Sequence, residues 1–201
     1  MRKYRMIMFL GICMLFLMIS GCSKKEISVC ETTVVVGKDG SITSAVVESF
    51  DKEYYNSAGL EAMANEEINE FNQSEHVKET GKATLSKFEV ADQVAKLYVK
   101  FDQAEGYAAF NQTDFFQGKV SEAYERGYSF DVSLKNAQGA QVIGKEELLE
   151  KGKNHILILE EPVCVSVPKE ILFYSSNVEL IDDKSARVSS ESQGLAYILY
   201  K

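Results

Sequence analysis

Several residue types on which catalytic and cofactor sites depend are scarce in this sequence of 201 residues. There is no tryptophan, there are two prolines, and the only histidines are His76 and His155. His76 lies in a polar connecting segment and His155 at the start of a predicted strand, so each is expected to be an ordinary polar residue. The 13 glycines stand singly, and the sequence has neither a glycine-rich phosphate loop nor a Gly-x-Ser-x-Gly nucleophile turn. It therefore offers little for histidine-based, phosphate-loop or α/β-hydrolase chemistry.

The sequence also has no convincing motif for a metal site or for an acyl enzyme. Zinc sites need clustered histidine and cysteine, and calcium loops need regularly spaced aspartates that end in a glutamate. Asp39 and Asp182 are isolated turn residues instead. Ser166 and Lys169 match a Ser-x-x-Lys spacing, but the valines before Pro168, together with that proline, predict that Ser166 lies in a strand, in which the lysine would not fold back onto the serine. We expect no metal site and no catalytic residue, although 30 acidic residues leave open a hydrolase that uses dispersed carboxylates.

Basic residues are in the minority. The chain has 22 lysines and arginines against 30 acidic residues, a formal net charge of −8. Three of the basic residues fall within the first five positions, so a chain that begins at residue 22 has 19 of them and a formal charge of −11. Nucleic-acid binding needs clustered lysine and arginine to neutralise phosphates. The charge balance therefore argues against a nucleic-acid partner, and also against electrostatic adsorption to an anionic membrane.

A single long apolar run is present, over residues 6–19. Its 14 residues are too few to span a bilayer and are typical of the apolar region of a secretory signal peptide, which here follows a basic start. Small residues then lead to Gly21 and Cys22, and residues 17–22 (LMISGC) resemble the lipobox of bacterial lipoproteins. The resemblance implies cleavage between Gly21 and Cys22 and a diacylglycerol and N-acyl lipid on Cys22. The alternative is an uncleaved anchor helix with an ordinary thiol at Cys22.

The lipobox also implies a location and a division of the chain. Residues 1–21 are the predicted signal peptide and residues 22–31 the lipidated tether. Two or three acyl chains anchor a protein stably without a spanning helix. We therefore expect the protein at the outer, extracytoplasmic face of the cell membrane. Its expected partners are the membrane, through the lipid, and an envelope protein; apart from the lipid on Cys22, no cofactor is expected.

The rest of the chain predicts an α+β fold in which antiparallel hairpins carry packed helices. Residues 32–127 form a ββαββα-like part, and residues 128–201 form a β-rich part that begins with a strand over 128–134. The elements of the first part are a hairpin over 32–48, a helix from 56 or 57 to 73, a hairpin over 83–90 and 93–101 with a bulge near 86–87, and helices over 103–111 and 119–127 joined by 115–118. Two arrangements fit: one α+β domain with the helices on one side of the sheet, or two tightly associated subdomains, which we favour.

The first predicted helix is amphipathic, with apolar residues at helical spacing and glutamates around the remainder. We expect the apolar face to pack on the sheet and the acidic face to be solvated; an acidic docking or cation-binding face is the alternative. The apolar residues are Leu60, Met63, Ala64, Ile68 and Phe71.

Cysteines and tyrosines supply the remaining candidates. Cys30 and Cys164 stay in the processed chain, where an exported location allows a disulfide between them. The alternative is two free thiols, with Cys164 packed as a small apolar residue.

Clustered tyrosines can form a binding surface, because each offers a rigid face and a polar tip; half-buried strand tyrosines are the alternative. The candidate tyrosines are Tyr54, Tyr55, Tyr174, Tyr197 and Tyr200.

Four phrases of the sequence, over residues 47–55, 107–111, 167–174 and 196–201, resemble a group of lipoproteins of clostridial, low-GC Gram-positive bacteria. The group has no assigned activity, so the resemblance implies location and architecture only. We expect a lipid-anchored, non-enzymatic module that binds a protein or an envelope component near the membrane. The alternatives are a small-solute receptor that serves a transporter and a carboxylate-based hydrolase.

Overall fold

Two β-sheets and five helices are formed by residues 29–75, 77–191 and 194–201, which are the residues described by the computed structural model. The α+β fold class is thereby confirmed. Sheet A has seven strands, in the spatial order β11 (Val178–Leu180), β12 (Ser185–Val188), β9 (Cys164–Ser166), β1 (Thr33–Val36), β2 (Ile42–Ser49), β4 (Val94–Phe101) and β3 (Ala83–Ala91). Sheet B has six strands, in the order β5 (Phe115–Lys119), β8 (His155–Leu159), β13 (Ala196–Tyr200), β10 (Ile171–Tyr174), β6 (Leu134–Asn136) and β7 (Val142–Ile143). The helices are α1 (Ser57–Gln73), α2 (Val77–Thr80), α3 (Ala104–Asn111), α4 (Val120–Glu125) and α5 (Lys145–Glu150).

Local sequence signals account for the two hairpins of sheet A. β1 and β2 pair antiparallel around a turn in which Gly40 has a φ of +83°, a conformation that glycine adopts without strain. In the same turn the Asp39 carboxylate accepts hydrogen bonds from the backbone N–H and the hydroxyl of Ser41, at 3.1 and 2.6 Å. β3 and β4 pair antiparallel with a register shift between Leu85 and Lys87. Both predicted hairpins and the predicted bulge are confirmed.

Distant segments complete each sheet. β1 pairs in parallel with β9, so that Thr33 lies opposite Cys164, and β5 pairs antiparallel with β8. Strands from the C-terminal part of the chain therefore extend sheet A, and a strand from the N-terminal part forms one edge of sheet B. The predicted boundary at residue 127 does not separate the two sheets, because the segments on either side of it are interleaved.

Sheet B is covered on both faces by apolar side chains. Leu157 and Ile198 on one face share a core with Val34, Val99 and Val165 of sheet A. The opposite face packs against α4, α5 and the irregular segment before β6. The buried residues of this second core include Ile156, Ile158, Leu199, Val120, Ala123, Leu148 and Phe130. β8 is buried from its second residue to its last, as its two-sided apolar sequence predicts.

Helix α1 packs against β3, which is an edge strand of sheet A. Its first turn is capped by the side chain of Asn56, which accepts a hydrogen bond from the backbone N–H of Gly59 at 3.1 Å. At the other end, Asn72 exchanges two hydrogen bonds with the backbone of Ala83 in β3, at 2.8 and 2.9 Å. Ile68 is buried between these ends. The predicted start and end of this helix are confirmed.

Two local predictions are wrong. Residues 115–118, expected to be a connection between helices, lie in strand β5, because Phe115 and Phe116 point to opposite faces of sheet B and fill the two cores separately. Residues 128–133, expected to be a strand, are irregular, and Phe130 is nevertheless fully buried in the second core.

Candidate functional site

Two concave regions lie at opposite ends of the β1–β2 hairpin. The first, the apolar groove, has a volume of about 510 Å³ and lies beside the last residues of β2. The second, the basic cleft, has a volume of about 670 Å³ and lies beside the turn at residues 37–40. Both volumes fall in the range of small-ligand sites.

The apolar groove separates the N-terminal half of α1 from sheet A. Its floor consists of side chains on one face of the sheet, Val46 from β2 and its register partner Leu97 from β4. Leu60 and Met63 of α1 form the facing wall. Met63 belongs to the face predicted to pack on the sheet, but it is 62% exposed, whereas the neighbouring Ala64 is buried.

An aromatic cluster closes one end of the groove. After β2, the backbone N–H of Phe50 donates to the carbonyl oxygen of Gln93 at 2.7 Å, which fixes the start of the loop to the β3–β4 turn. The rings of Phe50 and Tyr55 have centroids 4.9 Å apart, and those of Tyr54 and Tyr55 are 5.0 Å apart in an edge-to-face arrangement. These contacts fall in the favourable range for aromatic pairs, so the loop is held in place by its own rings.

Exposed apolar side chains are concentrated around this groove. Tyr54 is 80% exposed, Met63 62%, Tyr55 41% and Val90 37%. The first three line the groove, and Val90 is the register partner of Ala95, which also lines it. They are four of the seven large exposed apolar residues in the described part of the chain. Scattered exposed residues need no explanation, but a cluster of them indicates a contact surface.

The surroundings of the groove are acidic. Helix α1 has no basic residue, and its glutamates at positions 61, 66, 67 and 70 are exposed. Glu48 lines the groove itself, and Glu53 lies exposed in the neighbouring loop. Lys52 is the nearby cation, and it is paired with Asp51 at 3.2 Å. The groove therefore combines an apolar floor with a negative rim.

Three of the five candidate tyrosines do not form an exposed binding surface. Tyr174, Tyr197 and Tyr200 are buried, because β10 and β13 lie inside a sheet that is covered on both faces. The Tyr197 hydroxyl donates to the carbonyl oxygen of Ser129 at 2.8 Å. Tyr54 and Tyr55 alone remain on the surface.

Cys30, which is exposed, and Cys164, which is buried, are free thiols in the structure, so the disulfide considered for them is not formed. Burial raises the pKa of the Cys164 thiol, and the neighbouring carboxylate of Glu31 raises it further. A raised pKa keeps the thiol protonated and poorly nucleophilic. Glu31 itself pairs with Arg187 at 2.6 Å. The predicted cleavage and lipidation residues, Gly21 and Cys22, lie outside the described residues.

The basic cleft is built from segments that are far apart in the sequence. The hairpin turn, the β5–α4 junction, the start of β8, the segment after β9 and the end of β13 all contribute. His155 stacks on the ring of Tyr200, with centroids 5.5 Å apart and an interplanar angle of 21°. Burial lowers the pKa of His155, as do the charges of Lys169 and Lys119, whereas Glu122 raises it.

The polar residues around His155 were not predicted as a site. Gln117, Lys119 and Lys169 come from three segments with no common motif, so only their three-dimensional arrangement brings them together. His155 was predicted to start a strand, and it is the first residue of β8. Of the predicted tyrosines, Tyr200 lines the cleft.

The described residues also bear on metal binding and on membrane insertion. No group of three or more histidine, cysteine, aspartate or glutamate side chains there is arranged to hold a metal ion. Nor does any helix in residues 29–75, 77–191 and 194–201 have the length and hydropathy needed to cross a membrane. Comparisons with family models, with curated proteins and with solved structures find no match to this chain.

Proposed function

We propose that this protein is a lipid-anchored, extracytoplasmic module without enzymatic activity, which binds an envelope protein through the apolar groove. The observation that supports the proposal is the concentration of exposed apolar side chains around a groove of about 510 Å³. Surfaces of this kind, rimmed by polar residues, mark protein-interaction sites. The lipid anchor rests on the resemblance of residues 17–22 to a lipobox.

The chemistry of the groove defines its occupant. Apolar floor residues suit an apolar segment of a partner, and the acidic rim suits lysine or arginine at the ends of that segment. We therefore propose that the occupant is a short apolar segment with basic flanks. Tyrosines such as Tyr54 and Tyr55 contribute a large contact area at low conformational cost.

The apolar groove and the predicted tether lie at the same end of the β1–β2 hairpin. Thr32, just after the predicted tether, exchanges hydrogen bonds with the backbone of Val47, at 3.1 and 3.4 Å, and the neighbouring Val46 lines the groove. With the tether on Cys22 only about ten residues long, the groove lies near the bilayer. A membrane-proximal envelope protein is thus within its reach.

Site-specific photo-crosslinking tests the groove. A photoreactive residue at Met63 in the full-length protein should capture one defined envelope protein in cells, because this position faces the groove. Val142 is a matched control, since it is 58% exposed but lies on β7 of sheet B. The capture should be lost in a Tyr54→Ser background. Equal capture from positions 63 and 142, or capture that is insensitive to Tyr54→Ser, would contradict the proposal.

The charge argument is tested on the captured partner. Its segment, made as a synthetic peptide, should bind the full-length protein in detergent. Replacement of the basic residues of the peptide by glutamate should weaken binding at low salt, and the difference should shrink as salt is raised. Unchanged affinity would mean that the acidic rim does not select the occupant.

The anchor is tested independently of the groove. Metabolic labelling with a palmitate analogue should label the wild-type protein, and Cys22→Ser should lose both the label and the membrane association. Mass spectrometry of the native product should show cleavage before Cys22. An intact N-terminus, or an unmodified thiol at position 22, would overturn this part of the proposal.

One observation favours a second candidate, the small-solute receptor. The basic cleft lies away from the tether and is large enough for a metabolite.

The hydrolase alternative needs two carboxyls with raised pKa in one cleft. The cleft residue Asp39 shows the opposite shift, because the hydrogen bonds from Ser41 lower the pKa of its carboxyl.

A further inference from the structure

The basic cleft collects positive charge in a chain whose formal net charge is −8. Four lysines line it, against two acidic side chains. The lining ionisable residues are Lys38, Lys119, Lys169, Lys201, Asp39 and Glu122, together with His155.

Some of these charges are neutralised by neighbours. Lys201 forms an ion pair with Glu170, and Asp39 pairs with Lys100 at 3.8 Å. The carboxylate of Glu122 accepts a hydrogen bond from the backbone N–H of Lys119 at 2.8 Å, which leaves its negative charge in place.

Three lysines of the cleft keep their charge uncompensated. Within residues 29–75, 77–191 and 194–201, no ion pair is formed by Lys38, Lys119 or Lys169. The carboxylate of Glu122 is the negative charge that opposes these three lysines in the lining of the cleft. The side chains that line the cleft therefore have an excess of about two positive charges, which an anionic ligand would balance.

Neutral donors complete the lining. The side-chain amide of Gln117 donates to the Tyr200 hydroxyl at 2.9 Å, so the hydroxyl proton of Tyr200 can be donated to another acceptor. Gly118 has no room for a side chain, since a Cβ there would lie 2.8 Å from Oε2 of Glu122 and 2.7 Å from the ring of Phe116. The side chains of Glu122 and Phe116 therefore pack closely against the backbone of Gly118.

We propose that the basic cleft binds a small soluble dianion, a phosphate monoester, with Lys119 and Lys169 as its charged contacts and His155 between them. A phosphoryl group carries close to two negative charges at neutral pH, which matches the excess in the cleft. The volume of about 670 Å³ leaves room for the organic part of such a molecule.

Position favours a soluble ligand over a lipid headgroup. The cleft lies beside the turn at residues 37–40, whereas the chain enters sheet A at Thr33, the opposite end of β1. In the proposed orientation on the membrane, the cleft faces away from the bilayer. Its failure to bind would leave the groove proposal untouched, because the two sites share no residue.

The test uses the full-length protein in detergent, titrated with glucose 6-phosphate and, as its uncharged match, glucose. Isothermal titration gives the affinities, and the imidazole NMR signals of His155, assigned through a His155→Gln variant, report on the site. Glucose 6-phosphate should bind saturably and move the His155 signals, and glucose should do neither.

Variants locate the binding. Lys119→Gln and Lys169→Gln should each weaken binding by about tenfold or more, since each removes a charge-assisted contact. Both lysines are exposed, so the fold should tolerate the changes. Lys145→Gln, on α5, is the charge-matched control and should bind as the wild type does.

Three results would overturn the proposal. They are the absence of saturable binding at about 10 mM glucose 6-phosphate, equal binding of glucose, and wild-type affinity in both Lys119→Gln and Lys169→Gln. Titration with vesicles that contain anionic phospholipid distinguishes the sources of phosphate. Shifts of the His155 signals by vesicles but not by glucose 6-phosphate would also overturn it.

Discussion

The imidazole of His155 is the ionisable group whose environment has the clearest consequence for stability. Its pKa in the folded chain is lowered by burial and by Lys169 and Lys119, despite the opposing effect of Glu122. The unfolded chain, in which a histidine has a pKa of about 6.5, therefore binds a proton more readily. Protonation of His155 thus favours unfolding.

We predict that the free energy of unfolding decreases as the pH falls below about 6.5, and that His155→Gln reduces this decrease. The contribution is complete above the unfolded pKa and is lost as the pH falls towards the lower, folded pKa. Urea unfolding at several pH values from about 5 to 8 measures it. His76 is present in both proteins and cancels from the comparison. Equal pH dependence in the two proteins would contradict the prediction.

Single tyrosines show why burial could not be predicted from the sequence. Tyr197 and Tyr200 are in a terminal strand, and alternation along that strand indicates two faces but not what covers them. Sheet A covers one face and the helices cover the other, so all five residues of β13 are buried. Tyr54 and Tyr55 stay exposed because they precede a helix in a loop.

At the scale of elements, the contact between α2 and α3 depends on one glycine. A Cβ added at Gly106 would lie 2.8 Å from the backbone carbonyl oxygen of Thr80, the last residue of α2. Such an approach is below the normal contact distance, and a backbone atom cannot move aside as a flexible side chain can. The close approach of α2 to α3 therefore depends on the absence of a side chain at position 106.

We predict that Gly106→Ala lowers the free energy of unfolding by about 1–3 kcal/mol, because α2 must shift away from α3. Gly59→Ala is the matched control. Its Cβ would be in ordinary contact with Asn56, at 3.6 Å, and alanine is favoured over glycine in a helix by about 1 kcal/mol. Chemical denaturation should give opposite signs for the two variants, and a stabilised Gly106→Ala protein would refute the close-contact argument.

Elements with local signals were predictable and elements with distant partners were not. The hairpins and α1 follow from alternation, from the Asp39-Gly40 turn and from the Asn56 cap. β5 was missed because Phe115 and Phe116 serve two different cores, so the strand shows no alternation, and Gly118 indicates a break. The parallel pairing of β1 with β9 could not be predicted, because neither segment has a local sequence pattern that indicates it.

In the molecule as a whole, each sheet contains strands from both sides of the predicted boundary at residue 127. Residues 32–127 lack the strands that pair with β1 on one side and with β5. They also lack Leu157 and Ile198, which complete the core against sheet A. An isolated fragment would thus expose apolar side chains such as Val34 and Phe115, which share a core with Leu157 and Ile198 in the intact chain.

We predict that a fragment of residues 32–127 does not fold by itself. Its NMR spectrum should show poor amide dispersion, whereas residues 29–201 should give a dispersed spectrum. Mixing it with residues 128–201 should restore dispersion, because the two segments together contain every strand of both sheets. A folded isolated fragment would instead support the predicted subdomain boundary at residue 127.

The two proposed sites differ in how much of each could be predicted from the sequence. Residues 48–63 contribute most of the apolar groove, so the amphipathic helix and the paired tyrosines already indicated part of it. The basic cleft joins five segments from residue 37 to residue 201, and no local pattern can report such an arrangement. It depends on the sheet order, which is itself set by distant contacts.

The position of β1 also determines how the body responds to mechanical force. In the proposed arrangement, a pull on the lipid is transmitted along the tether to Thr33, in a strand with a hydrogen-bonded neighbour on each side. Backbone hydrogen bonds across strands lie roughly transverse to such a pull, so both ladders resist together instead of opening one bond at a time. A protein dragged by its anchor would therefore keep its shape at the point of attachment.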